Sequence, residues 1–204
     1  MTVETHDVTN QPTVPADCNA YTTDRPLQEA IAQFGGSANA TVLSEFGALA
    51  GSRQALENGR LANQHPPEFR SHDRYGNRID QVDFHPSYHD FMAQSTQWGL
   101  HALDWNEPTL EHHLTRTALF YLQNQVEAGH CCPITMTHAC IPTLMHEPEL
   151  AAAWVPKILA CHYDGANKPD SEKTAVTIGM AMTEKQGGSD VRTNTTQAEL
   201  IPHT

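Results

Sequence analysis

The chain has 204 residues, of which 39% are hydrophobic and 18% charged. This composition is typical of a globular protein and argues against an intrinsically disordered one. The net charge of -12 opposes binding to nucleic acid backbones and anionic lipid surfaces. No apolar run approaches the roughly 20 residues of a membrane helix, and the start of the sequence lacks a basic and apolar targeting signal. We therefore expect a cytoplasmic protein without membrane contact.

The beginning of the chain predicts an extended arm followed by a helix. Residues 1–23 are rich in Thr, Asn, Asp and Pro and show no periodicity, so the arm needs a partner surface to become ordered. In the next segment Asp24 can cap a helix and Pro26 suits its first turn. Gly35 and Gly36 can end this helix in a left-handed conformation.

Two further helices and a hairpin are expected next. Asn39 and Ser52 offer N-caps, and Gly51 separates the two helices. The segment 70–84 centres on Tyr75-Gly76-Asn77 and carries alternating apolar residues nearby. This pattern predicts a small hairpin or long turn between helices.

Prolines mark the starts of the following helices. Pro86 predicts a helix to about Leu103, and Pro108 predicts one to about Gly129. In the second helix an apolar residue recurs at every fourth position, which predicts one stripe that faces a core. The members of this stripe are Leu110, Leu114, Ala118, Leu122 and Val126.

The last third of the chain changes from helix to strand character. Pro133 opens a helix expected to be buried, and residues 147–161 add one or two short helices. The polar loop 164–173 indicates a domain boundary. From residue 174 onward TAVTIGMAMT and VRTNTTQAEL predict two strands, which rarely form a stable unit alone. We therefore expect a β domain at 174–204 that is truncated or is completed by partner chains.

The expected fold is mainly α. It consists of the arm, a helical N-terminal domain at 24–164 and the first strands of an incomplete β domain at 174–204.

Histidines and cysteines do not predict a catalytic or metal site. His85 and His89 have the spacing of two metal ligands on one helical face, but Pro86 places His85 at the helix start and no third ligand is assignable. Surface or capping roles are favoured, and Glu111-His112-His113 is interpreted as a solvated face. The five cysteines are odd in number and lack CxxC spacing, so we expect reduced thiols. They are Cys18, Cys131, Cys132, Cys140 and Cys161.

The segment Met182–Val191 is the strongest candidate for a ligand site. Thr183 offers a hydroxyl at a strand end, and Ser189 offers another. Gly187 and Gly188 allow unusual dihedrals and close backbone approach, so that successive N–H groups could converge on a phosphate. An ordinary hairpin turn fits the same residues, and the segment matches neither of the standard phosphate-binding loops.

The sequence MTEKQGGSDV at 182–191 resembles the signature of the acyl-CoA dehydrogenase family, in which Met-Thr-Glu leads through a Gly-rich turn to Gly-Ser-Asp. The Lys-Gln-Gly-Gly form resembles the alkylation-response, isovaleryl-CoA dehydrogenase-like branch. Further segments support this branch, namely GRLAN at 59–63, FHP at 84–86, QVEAG at 125–129 and CPITMT at 132–137. The resemblance covers nearly the whole chain.

The resemblance implies a helical N-terminal domain of acyl-CoA dehydrogenase type, a central β domain and a C-terminal four-helix domain, with FAD between the last two. Only the first domain is expected to be complete here. Met182 and Thr183 would then contact the isoalloxazine ring, and Gly188 and Ser189 the pyrophosphate. Ser189 would also approach an acyl-CoA substrate. The implied cofactor-binding set is Met182, Thr183, Gly187, Gly188, Ser189, Asp190 and Val191.

The resemblance also implies what this chain lacks. The catalytic base is a Glu of the C-terminal domain, so Glu184 is not assigned that role and the fragment alone is expected to be inactive. Homotetramer formation would use the missing domains, and DNA would be contacted only through regions absent here.

Three functions remain open at this point. The chain is expected to be part of an FAD-dependent oxidoreductase that serves the adaptive response to DNA alkylation. One alternative is a flavin-containing DNA-protection protein with vestigial redox activity. The other is a plain helical interaction module.

Overall fold

The structure, a computed structural model, describes residues 5–35, 37–199 and 201. Over those residues the chain forms nine α-helices and one two-stranded sheet. The helices are α1 (Arg25–Gln33), α2 (Ala40–Ala50), α3 (Arg53–Gln64), α4 (Pro86–Gln97), α5 (Leu103–Asn106), α6 (Leu110–Asn124), α7 (Cys131–Ala139), α8 (Ile141–Leu144) and α9 (Pro148–Ile158). The strands are β1 (Glu68–His72) and β2 (Arg78–Asp83), and short 3-10 helices span Ser37–Asn39, Asp170–Glu172 and Val191–Thr193. The predicted mainly helical fold is confirmed.

Local capping explains where the first helices begin and end. The Asp24 carboxylate accepts a hydrogen bond from the Leu27 N–H, and the Ser52 hydroxyl accepts one from the Ala55 N–H. Gly35 has a φ of 92° after α1, whereas Gly36 lies outside the described residues. Asn39 precedes α2 without capping it through its side chain, because its Nδ2 instead donates to Thr115 Oγ1 at 2.8 Å. This bond connects the start of α2 to α6.

The predicted hairpin is confirmed, and it begins slightly earlier than expected. Strands β1 and β2 are antiparallel, with Glu68 opposite Asp83. In the turn the Asp73 carboxylate accepts hydrogen bonds from the N–H groups of Tyr75 and Asn77, and Gly76 has a φ of 85°.

Helices α4 and α6 end earlier than the sequence predicts. Gly99 has a φ of 70° and follows the end of α4, so Leu103 begins the separate helix α5. Thr109 caps α6, whose last residue is Asn124 rather than Gly129. Leu110, the first member of the predicted stripe, is 68% exposed because it lies in the first turn of α6, outside the core.

The main core lies between α1, α2, α4, α6 and α7. Its buried apolar side chains each contribute roughly 1.5–3 kcal/mol by leaving water. They include Ile31, Leu43, Phe46, Ala50, Met92, Leu100, Ala118, Leu119, Leu122 and Ile134. A smaller cluster around Cys140, Ile141 and Ile158 lies at α8 and α9 and is flanked by Val176 and Ile178. It anchors the chain that follows the helices.

The arm becomes ordered where it reaches α2. The Cys18 N–H donates to Gly51 O at 3.3 Å, and the Ala20 N–H donates to Gly47 O at 2.9 Å. A Cβ on Gly51 would lie 1.8 Å from Cys18 O, so glycine is required for this close approach. The α2 backbone is therefore the partner surface that the arm needs, and residues 1–4 lie outside the described part of the chain.

The strands expected from residue 174 onward do not pair into a sheet in the structure. Among the described residues of this segment, the only ladder contact is an isolated bridge between Glu184 and Gly187. A strand requires a neighbour for its backbone groups, and the described residues supply none here. The segment is fixed instead by individual contacts, such as Ile178 N–H to Thr137 Oγ1 at 3.1 Å. Residues 200 and 202–204 of the predicted domain lie outside the described residues, and the domain division remains a prediction.

Candidate functional site

The predicted ligand segment forms one loop with Glu184 at its base. The Glu184 carboxylate accepts hydrogen bonds from the N–H groups of Thr195 at 2.8 Å and Thr196 at 2.6 Å. The hydroxyl of Thr196 also donates to it, and Asn194 Nδ2 donates to Met182 O at 2.9 Å. These bonds fasten the two ends of the loop to each other.

The same bonds define the chemistry of Glu184. Hydrogen bonds from the hydroxyl and N–H of Thr196 lower the pKa of the Glu184 carboxyl to about 2. A carboxylate with so low a pKa is a poor general base at neutral pH. Its geometry is that of an anchor for the loop.

Gly188 allows the loop to fold tightly against Thr183. A Cβ on Gly188 would lie 3.0 Å from Thr183 Cγ2, which is tighter than ordinary side-chain contacts. Neither Gly187 nor Gly188 has a positive φ, so the unusual dihedrals expected at these positions are not adopted. Glycine is needed at position 188 because the backbone there approaches Thr183 closely. At Gly187 a Cβ would meet open space.

Backbone donors line the tip of this loop. Within the described residues, no acceptor pairs with the N–H groups of Gly188, Ser189 or Asp190. Successive N–H groups without acceptors can bind an anion such as phosphate where they converge on it. Met182 is 59% exposed and Val191 is 38% exposed, so the apolar ends of the segment also face solvent. All seven predicted residues are exposed, and their role in binding stays a prediction.

A cavity of about 440 Å³ lies between the hairpin, α4 and the loop after α9. His89 Nδ1 and the Tyr163 hydroxyl are 2.9 Å apart at its wall. His101, which also contacts the cavity, is buried, and its Nδ1 has no hydrogen-bond partner among the described residues. Burial lowers the pKa of His101 to about 4, while burial raises the pKa of Tyr163 to about 12. Both side chains are therefore neutral near pH 7.

Sequence reasoning missed this cavity. His89 was interpreted as a surface or capping residue from its spacing to His85, and His85 does cap α4, with its Nδ1 accepting from the Ser87 N–H. The partner of His89 is Tyr163, which lies 74 positions further along the chain. No local pattern links two residues so far apart.

A buried polar relay crosses from α4 to the turn before α7. Ser95 Oγ lies 2.9 Å from His130 Nε2, and His130 Nδ1 lies 2.6 Å from a Glu127 carboxylate oxygen. Burial lowers the pKa of His130 despite its carboxylate neighbour, so the imidazole is neutral. The order of residues is that of a hydrolase triad, but Ser95 and His130 are both 0% exposed. No substrate reaches Ser95, and the relay serves to connect the elements that it joins.

Asp104 lies within hydrogen-bond distance of two further histidines, where α5, α6 and α7 meet. Its carboxylate lies 2.9 Å from His113 Nδ1 and 3.0 Å from His138 Nε2. Across the described residues, no group of three or more His, Cys, Asp or Glu side chains could hold a metal ion. Within the same part of the chain, no helix is long and apolar enough to cross a membrane.

The cysteines follow the predicted pattern of separate thiols. All five are free. Cys131 is buried and Cys132 is exposed, as expected for neighbours that point apart on a helix. Burial raises the pKa of the Cys131 thiol to about 12, so it is not a nucleophile at neutral pH.

Comparison with known proteins identifies the family. The model of the family described as "Adaptive response protein AidB N-terminal domain" matches residues 10–165. The chain belongs to this family. AidB of Escherichia coli (strain K12), whose name marks it provisionally as an acyl-CoA dehydrogenase, is 42% identical over 200 residues. The resemblance inferred from MTEKQGGSDV and the four supporting segments is confirmed.

Solved structures share the fold of this AidB N-terminal domain. A protein solved as "Bd2924 apo-form" superposes with a TM-score of 0.75 at 24% identity, over 90% of this chain and 36% of that one. ACDH-11 of Caenorhabditis elegans, solved in complex with C11-CoA, superposes with a TM-score of 0.73 at 24% identity, over 94% of this chain and 33% of that one. The match to E. coli AidB covers 97% of this chain and 37% of the relative. The chain thus spans about a third of the length of these relatives.

Proposed function

We propose that this chain forms one wall of an FAD site in an acyl-CoA dehydrogenase-like flavoprotein of the adaptive response to DNA alkylation. The observation that carries the proposal is the loop at 182–191, where the N–H groups of Gly188, Ser189 and Asp190 have no hydrogen-bond partner among the described residues and Gly188 lies against Thr183. Membership in the AidB N-terminal domain family supports the same assignment.

The residues present fit a dinucleotide that lies across the loop. The N–H groups and the hydroxyl at Gly188 and Ser189 would bind the pyrophosphate, since hydrogen-bond donors without partners are available there. Met182 and Thr183 would contact the isoalloxazine ring, and Gly187, Asp190 and Val191 complete the contact set. The exposure of Met182 supports a partner on this face.

When bound, FAD would supply the acceptor for a hydride removed from an acyl thioester. Ser189 is proposed to approach that substrate as well as the cofactor. We propose that Glu184 is not the catalytic base, because its carboxylate already accepts hydrogen bonds from Thr195 and Thr196. The base would come from a C-terminal domain outside the present sequence.

The proposed partners are FAD, an acyl-CoA and further copies of the same protein. ACDH-11 was solved in complex with C11-CoA, which supports an acyl-CoA as the ligand of a protein of this fold. Because the net charge of -12 opposes contact with DNA, we propose that DNA is contacted only through regions outside this chain. We propose that homotetramer formation also uses regions outside this chain.

The loop assignment is tested by substitutions in the intact protein. Gly188→Val should reduce the flavin-to-protein ratio of the purified protein strongly, because the side chain would push the loop away from Thr183. Ser189→Ala should reduce the flavin-to-protein ratio less, since this change removes only one hydroxyl and leaves the backbone N–H groups in place. Gly179→Val is the matched control, because a Cβ there meets nothing within 4 Å. Unchanged flavin content in both loop variants would refute the assignment.

A second experiment separates dehydrogenation from a vestigial flavin. Under anaerobic conditions, acyl-CoA substrates of increasing chain length should bleach the flavin absorbance if the protein oxidises them. Absence of bleaching at every length, with FAD retained, would favour a flavin-containing DNA-protection protein instead. A colourless intact protein that cannot be reconstituted with FAD would favour a helical interaction module.

A further inference from the structure

A second cavity, of about 290 Å³, lies between the end of α3, the start of α4 and the turn before α7. Aromatic rings form much of its lining. His65 stacks on His85 with ring centroids 4.7 Å apart, and Phe84 stacks on Tyr88 at 4.2 Å. We call these four rings and the space between them the aromatic cavity. Its volume suits a small ligand rather than a nucleotide.

A buried acidic residue also lines the aromatic cavity. Glu127 is 6% exposed and lines the cavity together with Gly129 and His130. A Cβ on Gly59 would lie 2.6 Å from Val126 O, so this glycine lets α3 pack directly against the turn that carries Glu127. The carboxylate therefore lies where α3, α4 and the turn meet.

The charge of Glu127 is not balanced by a cation of the protein. Its oxygens accept hydrogen bonds from the N–H of Gly129 at 2.6 Å, from the N–H of His130 at 2.8 Å and from His130 Nδ1 at 2.6 Å. These bonds hold the pKa of Glu127 below its usual value despite burial, so the group is ionised. In the described part of the chain, His130 is the only basic group within salt-bridge distance of Glu127, its imidazole is neutral, and no Lys or Arg pairs with the carboxylate.

An ionised carboxylate in a low-dielectric site attracts a positive charge much more strongly than one in water. The faces of aromatic rings attract cations as well, and aromatic cages bind quaternary ammonium groups in this way. We propose that the aromatic cavity binds a small organic cation that carries a methylated or quaternary ammonium group. The rings would surround the methyl groups, and Glu127 would supply the negative charge.

Other ligand classes fit the aromatic cavity less well. An anion would be repelled by Glu127. A divalent metal ion prefers several oxygen ligands, whereas each oxygen of Glu127 already accepts at least one hydrogen bond. A neutral apolar molecule would contact the rings without using the charge. The His85 ring is held at the start of α4, where its Nδ1 accepts a hydrogen bond from the Ser87 N–H.

The test compares choline with its neutral isostere 3,3-dimethyl-1-butanol in calorimetric titrations of the intact protein at constant ionic strength. Choline should bind about tenfold more tightly than the isostere, because only choline carries the charge. Tetramethylammonium should behave like choline. Equal binding of choline and the isostere, or no binding of either cation, would overturn the proposal.

Variants locate the binding site. Tyr88→Leu removes one aromatic face and should weaken choline binding roughly fivefold, whereas Tyr75→Leu in the exposed hairpin turn serves as its matched control. Glu127→Gln removes the charge and should weaken choline about tenfold without affecting the isostere. Circular dichroism checks folding, and Phe84→Leu replaces any variant that does not fold. Choline affinity that is unchanged in folded variants at both the rings and Glu127 would place the site elsewhere and reject the assignment.

Discussion

The helical body at residues 25–158 and the segment at 174–199 keep their shapes by different means. The helical body buries a continuous apolar core, with Phe46, Leu43 and Leu122 each 0% exposed. The segment exposes Met180, Met182 and Val191, and polar bonds to the Glu184 carboxylate fasten its loop.

The two regions differ in where their stabilising contacts come from. Burial of apolar surface is the dominant stabilising contribution in a folded domain. The helical body obtains this contribution by packing its own apolar side chains against one another. A segment with exposed apolar side chains and unpaired backbone donors has the features of an interface. The proposed FAD site would therefore be assembled from this segment and a partner surface.

The largest expected effect lies in the helical core. Phe46→Ala removes a fully buried ring that packs edge-on against Trp98 with centroids 5.2 Å apart. The free energy of unfolding should fall by about 3–5 kcal/mol. Denaturant titration followed by tryptophan fluorescence measures it, because all three tryptophans, Trp98, Trp105 and Trp154, lie in the helical body.

Met182→Ala is the matched change in the segment. Met182 is 59% exposed, so the free energy of unfolding from the same titration should change by no more than about 0.5 kcal/mol. A loss at Met182 as large as that at Phe46 would contradict the contrast between the two regions.

The next effect concerns the pH dependence of the helical body. His101 has a folded pKa of about 4 against an ordinary value of 6.5. Its contribution to stability is fully present above pH 6.5 and is lost as the pH falls to 4, because the unfolded chain takes up the proton first. The shift corresponds to roughly 3 kcal/mol.

His101→Gln keeps a donor for the Ala160 carbonyl and removes the titrating group. Denaturant titrations between pH 6.5 and pH 4 should show a shallower loss of stability in this variant than in the wild type. Burial also lowers the pKa values of His130 and His138, and both remain in the variant, so the comparison isolates His101. Identical pH dependence of the two proteins would rule out His101 as a source of acid sensitivity.

The smallest effect is local to the segment. Glu184→Ala removes the acceptor of the Thr195 and Thr196 N–H groups, so these amides should exchange hydrogen faster while those of the helical body do not change. In the wild type the anchor is fully present above pH 4.5 and is lost as the pH falls toward 2. Glu199→Ala, an exposed change in the same segment, is the control. Equal protection in wild type and the Glu184 variant would show that other contacts hold the loop.

Much of the fold could be predicted from local sequence. Asp24 and Ser52 cap their helices through the bonds that their residue types predict, and Gly76 forms the turn of the hairpin. The signature at 182–191 predicts a ligand-binding loop, and the role of its residues stays a prediction. Long-range pairs such as His89 with Tyr163 could not be predicted, because the residues of each pair belong to different elements.

By itself, the sequence determined the helical class, the principal helix starts and the family, because caps, apolar periodicity and signature residues act over a few positions. Tertiary structure alone decided that Gly51 receives the arm and that Gly188 closes on Thr183. It also decided that Glu127 lines the same cavity as four aromatic rings. Close backbone approach and buried charge depend on which elements meet, and that is settled only when the whole core packs.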